Sequence, residues 1–229
     1  MEFAYLPEIF RPPRATIEDF KNYKSLVYSR PNLAETTRAT NVVASSVVCR
    51  MPDYFQLVEA EKDLVAILQA LIRKIGQLSI KEILATHCLI IGASRSRFRK
   101  SAVVVGMTTS QPMGFLAAEY EIKSEIEWLI DACVSIENDS SMFAFFLFFF
   151  LHVHPFSDGN GRISRVALLG ISDKRGGEAA SKAMVLLAYI EQHKLDFVKA
   201  MYVARISSPD RLITFVEQAL VANFDASAT

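Results

Sequence analysis

Apolar residues recur along much of this chain at three-, four- and seven-residue spacings, the period of helices that bury one face. Between Tyr54 and Ile75 the set is Leu57, Leu64, Leu68, Leu71 and Ile75. Between Glu119 and Ile136 it is Ile122, Ile126, Leu129, Ile130 and Cys133, with Trp128 expected in the core or at an interface. Leu33–Val48 reads as a further helix that ends before Pro52. Ser79-Ile80-Lys81-Glu82 has the form of a capping box and opens a helix to about Leu89, in which His87 is read as structural. Met142–His152 differs from these, because six phenylalanines fall within Phe143–Phe150. A helix that is apolar all round is buried all round, so this one is predicted at the centre, with Asp139, Ser140 and Ser141 as cap candidates. Asn160–Ile171 is predicted as a second central helix, and Gly176-Gly177 then breaks the chain. Ala179–His193 and Leu195–Ala204 follow, and Ser208-Pro209 caps a last helix to about Val221. Only Gly92–Gly106 changes period: Arg95, Arg97, Arg99 and Lys100 crowd together before the β-branched run Ala102–Val105. That segment predicts a small hairpin. The fold class expected is therefore all-α, a helical bundle with a short β-hairpin.

Composition narrows this picture. The chain has 229 residues, of which 51% are apolar, enough for one well-cored domain with an extension. Pro7, Pro12, Pro13 and Pro31 interrupt residues 1–32, which are expected to form an N-terminal arm with at most a short helix over Thr16–Ser29. The domain proper is placed at 33–224, with a frayed tail over 225–229. There is no internal repeat. The formal net charge is +0, which argues against a nucleic-acid partner. Cys49, Cys88 and Cys133 are odd in number and widely spaced, suiting a reducing compartment rather than a disulfide framework or zinc site. Met1–Phe10 lacks the pattern of a signal peptide, and Met142–Leu151 is too short to span a membrane. A cytoplasmic protein with no membrane partner is expected, with a secreted effector kept as an alternative.

The candidate chemistry is concentrated in His154–Arg165, which lies between the two central helices and reads H-P-F-S-D-G-N-G-R-I-S-R. Backbone N–H groups at a helix start, with glycines that admit close approach, form an anion site. Histidine is a proton acceptor near neutral pH, a lone carboxylate suits Mg²⁺, and guanidinium forks suit phosphate. His152 is read as structural, because His152-Val153-His154 has no further cluster that would make a zinc site.

This stretch resembles the signature of the Fic family, H-x-F-x-[DE]-G-N-G-R-x-x-R, with no departure, and weaker similarity runs from about Ser45 to Ala219. The resemblance implies a Fic-like bundle and AMP transfer from ATP to a Ser, Thr or Tyr hydroxyl of a target protein. His154 is then the general base and Asp158 holds Mg²⁺. Gly159, Asn160 and Gly161 cradle the α-phosphate, Arg162 and Arg165 take the outer phosphates, and Phe156 pins the loop in the core. The resemblance also makes residues 92–106, with Arg99, Val103 and Val104, the flap that aligns a target chain by strand addition.

Many Fic proteins restrain themselves with a helix carrying [S/T]-x-x-x-E-[G/N]. The aligned residues here, within 33–50, are Ser45, Cys49 and Arg50, so the glutamate and the small residue are both replaced. The implied consequence is restraint by a separate antitoxin-like protein, or none. Gly161 stands where Doc-like kinases carry lysine, which favours nucleotide transfer over phosphate transfer. A non-catalytic nucleotide-binding module, a phosphotransferase and another nucleotidyltransferase stay open as alternatives, as does a homo-oligomer.

Overall fold

The computed structural model describes residues 15–23, 31–51, 63–76, 78–101, 103–106, 112–115 and 119–221. In chain order the helices are α1 (Ile17–Lys21), α2 (Leu33–Val48), α3 (Leu64–Lys74), α4 (Ile80–Ile91), α5 (Glu119–Ser135), α6 (Asp139–Val153), α7 (Asn160–Arg175), α8 (Gly177–Gln192), α9 (Lys194–Ile206) and α10 (Asp210–Val221). Between α4 and α5 lie strands β1 (Val103–Gly106) and β2 (Pro112–Phe115).

Helix α6 is the axis of the bundle. Every residue from Met142 to Phe150 is buried, as an all-apolar helix requires. Its N-cap is Asn138, one residue before the expected candidates, with the side chain accepting from Ser141 N at 2.9 Å. Helices α1, α5, α7 and α10 pack around it. From α1, the fully buried Phe20 meets Phe145, Phe148 and Phe149 at ring separations of 5.4, 5.9 and 6.2 Å. From α5, Trp128 sets its edge against Phe145 and Phe149 at 5.7 and 5.2 Å, while 41% of it stays exposed. The second central helix, α7, is enclosed by α2, α3, α4, α6 and α8. Gly170 lets α7 lie close to the end of α3, since a Cβ there would stand 2.8 Å from Ile75 Cγ2.

Several predicted boundaries move. The amphipathic run predicted from Tyr54 is helical from Leu64, where Asp63 accepts from Val65 N at 2.8 Å; Tyr54 and Leu57 lie outside the described residues. The short helix sought over Thr16–Ser29 covers Ile17–Lys21, and residues 24–30 lie outside the described ones. The tail 225–229 is likewise outside. The capping box at Ser79 forms as read, with Glu82 N donating to Ser79 Oγ at 3.3 Å and Ser79 N to Glu82 Oε2 at 3.1 Å.

The hairpin corrects the flap boundary of 92–106. β1 pairs antiparallel with β2, Val103 opposite Phe115 and Gly106 opposite Pro112, so the second strand lies beyond the predicted segment. Pro112-Met113-Gly114-Phe115 carries the two residues that read as turn formers; proline is tolerated as the first residue of an edge strand. Among the described residues no helix is long and apolar enough to cross a membrane.

Candidate active site

His154 is the residue at which α6 stops. Its backbone is left-handed, with φ 48° and ψ 60°, and its N–H donates to Phe150 O at 3.0 Å. A non-glycine residue there is strained by about 1–3 kcal/mol, a cost that tends to persist where geometry serves function. The surroundings hold it. Arg99 is only 3% exposed, and its guanidinium donates to His154 O (2.7 Å), Val153 O (3.1 Å) and Ser101 O (2.9 Å). Its backbone N–H adds a bond to Pro155 O at 2.9 Å. Arg99, expected in the flap, is thus a buried brace for the carbonyls that end α6.

The ring of His154 lies with Nδ1 3.3 Å from Leu151 O. A carbonyl only accepts, so Nδ1 carries the proton and Nε2 keeps the lone pair. Burial, helped by the charge of Arg99 and opposed by the Leu151 hydrogen bond, pushes its pKa down to about 4. A neutral base at physiological pH is the result.

The next turn is built on Asn160. Its Oδ1 accepts from Phe156 N at 2.9 Å and its Nδ2 donates to Phe156 O at 2.7 Å, closing the loop on itself. Phe156 is fully buried and stacks on His87 at 3.7 Å with 9° between the rings. Nε2 of His87 donates to Asp158 O at 2.8 Å, leaving Nδ1 to accept from Ser96 Oγ at 2.7 Å. At Gly159, φ is +79°, and a Cβ would meet Ile91 Cγ2 at 3.0 Å and His87 Nε2 at 3.1 Å. Only glycine suits both the angle and the space. Gly159 is the N-cap of α7 and gives it no side-chain cap; the first N–H groups of a helix have no partner within it, so this end suits an anion.

Charged groups surround that helix end. The side chain of Asp158 is 83% exposed; its Oδ1 accepts from Gly159 N at 2.6 Å and its Oδ2 lies 3.4 Å from Arg162 Nη2. Nη1 of Arg162 donates to Arg50 O (2.7 Å) and Ile90 O (3.0 Å). Arg165 donates to Gly161 O at 2.8 Å and forms an ion pair with Glu191 of α8. Burial, then the charges of Arg50 and Arg162, lower its pKa to about 10, so it remains a cation at neutral pH. A cavity of about 710 Å³ opens over these groups. His154, Asp158, Gly159, Asn160, Gly161, Arg162, Arg165, Arg50 and Val103 line it, and Leu187, Ile190, Phe197 and Val198 give it an apolar part.

Most residues singled out in the sequence therefore share one cavity. Phe156 and Arg99 lie beneath it instead. Ser45 and Cys49 flank it at the end of α2, Ser45 Oγ to Cys49 Sγ 3.6 Å, without lining it. Val104 contributes a backbone pairing with Gly114. The sequence reading makes His87 structural, and what it supports is the motif loop. Glu191 escapes that reading. Glu191 carried a signal: an acid in the last turn of α8 faces the negative end of the helix dipole and calls for a cation.

Acid should loosen this region. Burial lowers the pKa of His87, of His154 to about 4, and of His152, helped by Arg205, to about 3. Each binds its proton more weakly folded than unfolded, so their contribution to stability is complete above about pH 6.5 and is lost as the pH falls toward the folded values. A lower melting temperature at pH 5 than at pH 7 is expected in calorimetry; a flat profile between them would contradict the burial of these rings.

The sequence model of the Fic/DOC family matches residues 60–171, the span from α3 through the hairpin and the motif loop into α7. Over that span the chain is thus similar to the Fic/DOC family. Its fold is that of a Fic family protein from Desulfovibrio desulfuricans G20, known from a crystal structure, with a TM-score of 0.58 and 18% identity. The alignment covers 83% of this chain and 65% of that one, so the chain spans less than two thirds of its neighbour's length. No curated protein matches the chain.

Proposed function

We propose that the chain is a protein adenylyltransferase that moves AMP from ATP to a hydroxyl side chain of a target protein. The observation that carries the reading is the pairing, in one cavity, of a neutral histidine with the N-terminus of α7 and two arginines. The target oxygen attacks the α-phosphorus as its proton passes to Nε2 of His154. The bond from the α-phosphorus to the bridging oxygen breaks, and pyrophosphate leaves as the anion. Charge that grows on the α-phosphate oxygens would face the first N–H groups of α7, those of Asn160 and Gly161. Arg162 and Arg165 face the leaving phosphates.

Mg²⁺ fits the donor set. No group of three or more potential ligand side chains occurs among the described residues. The single exposed carboxylate of Asp158 suits an ion that takes its other ligands from phosphate and water. Bound there, it would neutralise phosphate charge. Among the described residues the sheet has only β1 and β2, and a target segment added as a further strand would suit it, a mode tolerant of target sequence. Cys49 and Arg50, where a self-restraining helix would place a glutamate and a small residue, support restraint by a separate protein.

The test uses Mg²⁺ with ATP labelled on the α- or the γ-phosphate, with and without a cell lysate. Protein label from the α position alone is expected. Label from the γ position alone would make the protein a phosphotransferase in spite of Gly161. Tight nucleotide binding with label from neither, over a broad panel of targets, would favour a binding module.

A further inference from the structure

The two motif arginines bring less free charge to the cavity than their number suggests. Arg165 is already paired with Glu191. Arg162 faces Asp158 and gives two further bonds to the carbonyls of Arg50 and Ile90. A chain of phosphates needs cations that are not already compensated.

Among the described residues Arg50 is such a cation. It follows the C-cap of α2 and lines the same cavity as Asp158, Arg162 and Arg165. Its backbone is fixed to the motif, because its carbonyl accepts from Arg162 Nη1 at 2.7 Å. Its side chain is exposed, and among the described residues no acid pairs with it. Its charge is felt at Arg165, whose pKa it helps to lower. Lys194 also lines the cavity, but it comes from α9 together with Phe197 and Val198, whereas Arg50 is tied to the arginines.

We propose that Arg50 is a phosphate-binding residue of this cavity, holding the terminal phosphate of a nucleoside triphosphate. The proposal rests on the nucleotide reading above and deepens it: the preferred substrate class is the triphosphate, over the diphosphate. The end of α2 then adds to substrate binding through the residue that stands where the restraining motif would have glycine or asparagine. The guanidinium fork offers two parallel donors to the phosphate oxygens, a contact that lysine reproduces only in part.

The experiment is calorimetry with the α,β-methylene analogues of ATP and ADP in Mg²⁺, on the parent chain and on Arg50→Gln and Arg50→Lys. Both substitutions keep the backbone carbonyl that Arg162 uses. Arg50→Gln is expected to weaken the triphosphate analogue about tenfold, the size of a charge-assisted contact, and the diphosphate analogue less than about twofold. Arg50→Lys should recover part of the loss. Melting temperatures should be unchanged, since the side chain is exposed. If the parent binds both analogues and Arg50→Gln weakens both equally, or neither, the assignment of Arg50 is wrong while the nucleotide reading survives. If the parent binds neither analogue, the nucleotide reading itself is overturned, and this assignment with it.

Discussion

Replacing His154 by alanine should lower label transfer from the α-phosphate by about 10²–10⁴-fold, the usual contribution of a positioned general base. Affinity for a non-hydrolysable nucleotide should stay within about twofold, because the anion cradle belongs to α7 and to the arginines. In this geometry Nδ1 is committed to Leu151 O, so on the proposed reading Nε2 would take the proton. Because the backbone at His154 is left-handed, alanine adds strain of its own. His154→Asn is the cleaner companion, since asparagine tolerates that region better. If either variant retained more than about a tenth of the parent rate, with its fold intact, His154 would not be the base.

The largest effect on stability is expected at Arg99. Its buried guanidinium joins three carbonyl oxygens, two from the last residues of the α6 turn and one from its own segment. Arg99→Met fills similar volume but leaves those acceptors without the charged donor. Hydrogen bonds to charged groups are worth about 1.5–3 kcal/mol each, and some of these carbonyls will recover water, so a net loss of about 3 kcal/mol is expected. Arg99→Lys should rescue little, because an ammonium is a point charge and lacks the planar fork. Urea unfolding measures this directly. A loss under about 1 kcal/mol would mean that the carbonyls find other partners and that Arg99 is not the brace. Transfer should fall along with stability, since His154 O is one of the acceptors.

The helices were legible because burial leaves a period in the sequence. The phenylalanine run of α6 announced a helix enclosed on every side, and Met142–Phe150 is buried throughout. The motif loop was legible for a different reason: its residues are chemically unusual and adjacent, so spacing alone places them together. What escaped has no local signature. Arg99 looks like one of a cluster of basic loop residues, and nothing nearby in the sequence says that the end of α6 will close over it. His87 and Phe156 are far apart in the chain, so their stacking depends on how α4 meets the loop. The second strand was hidden by Pro112 and Gly114, residues that argue for turns until an edge position makes them acceptable. Glu191 was readable in principle from the helix dipole, but its partner Arg165 was not.

The bond between Arg99 and Ser101 O has a bearing on how a target would be chosen. Val103, where β1 begins, stands only two residues further on, so the strand's origin is fixed relative to the histidine. A polypeptide laid along the hairpin would then be indexed by the strand's own repeat of about 3.3 Å per residue, with side chains facing alternately toward and away from the cavity. Moving a hydroxyl residue by one place along such a peptide reverses its face. Selection of this kind would depend on the parity of a position and hardly on which residues flank it, and would make the hairpin a phase-setting device for the proposed chemistry.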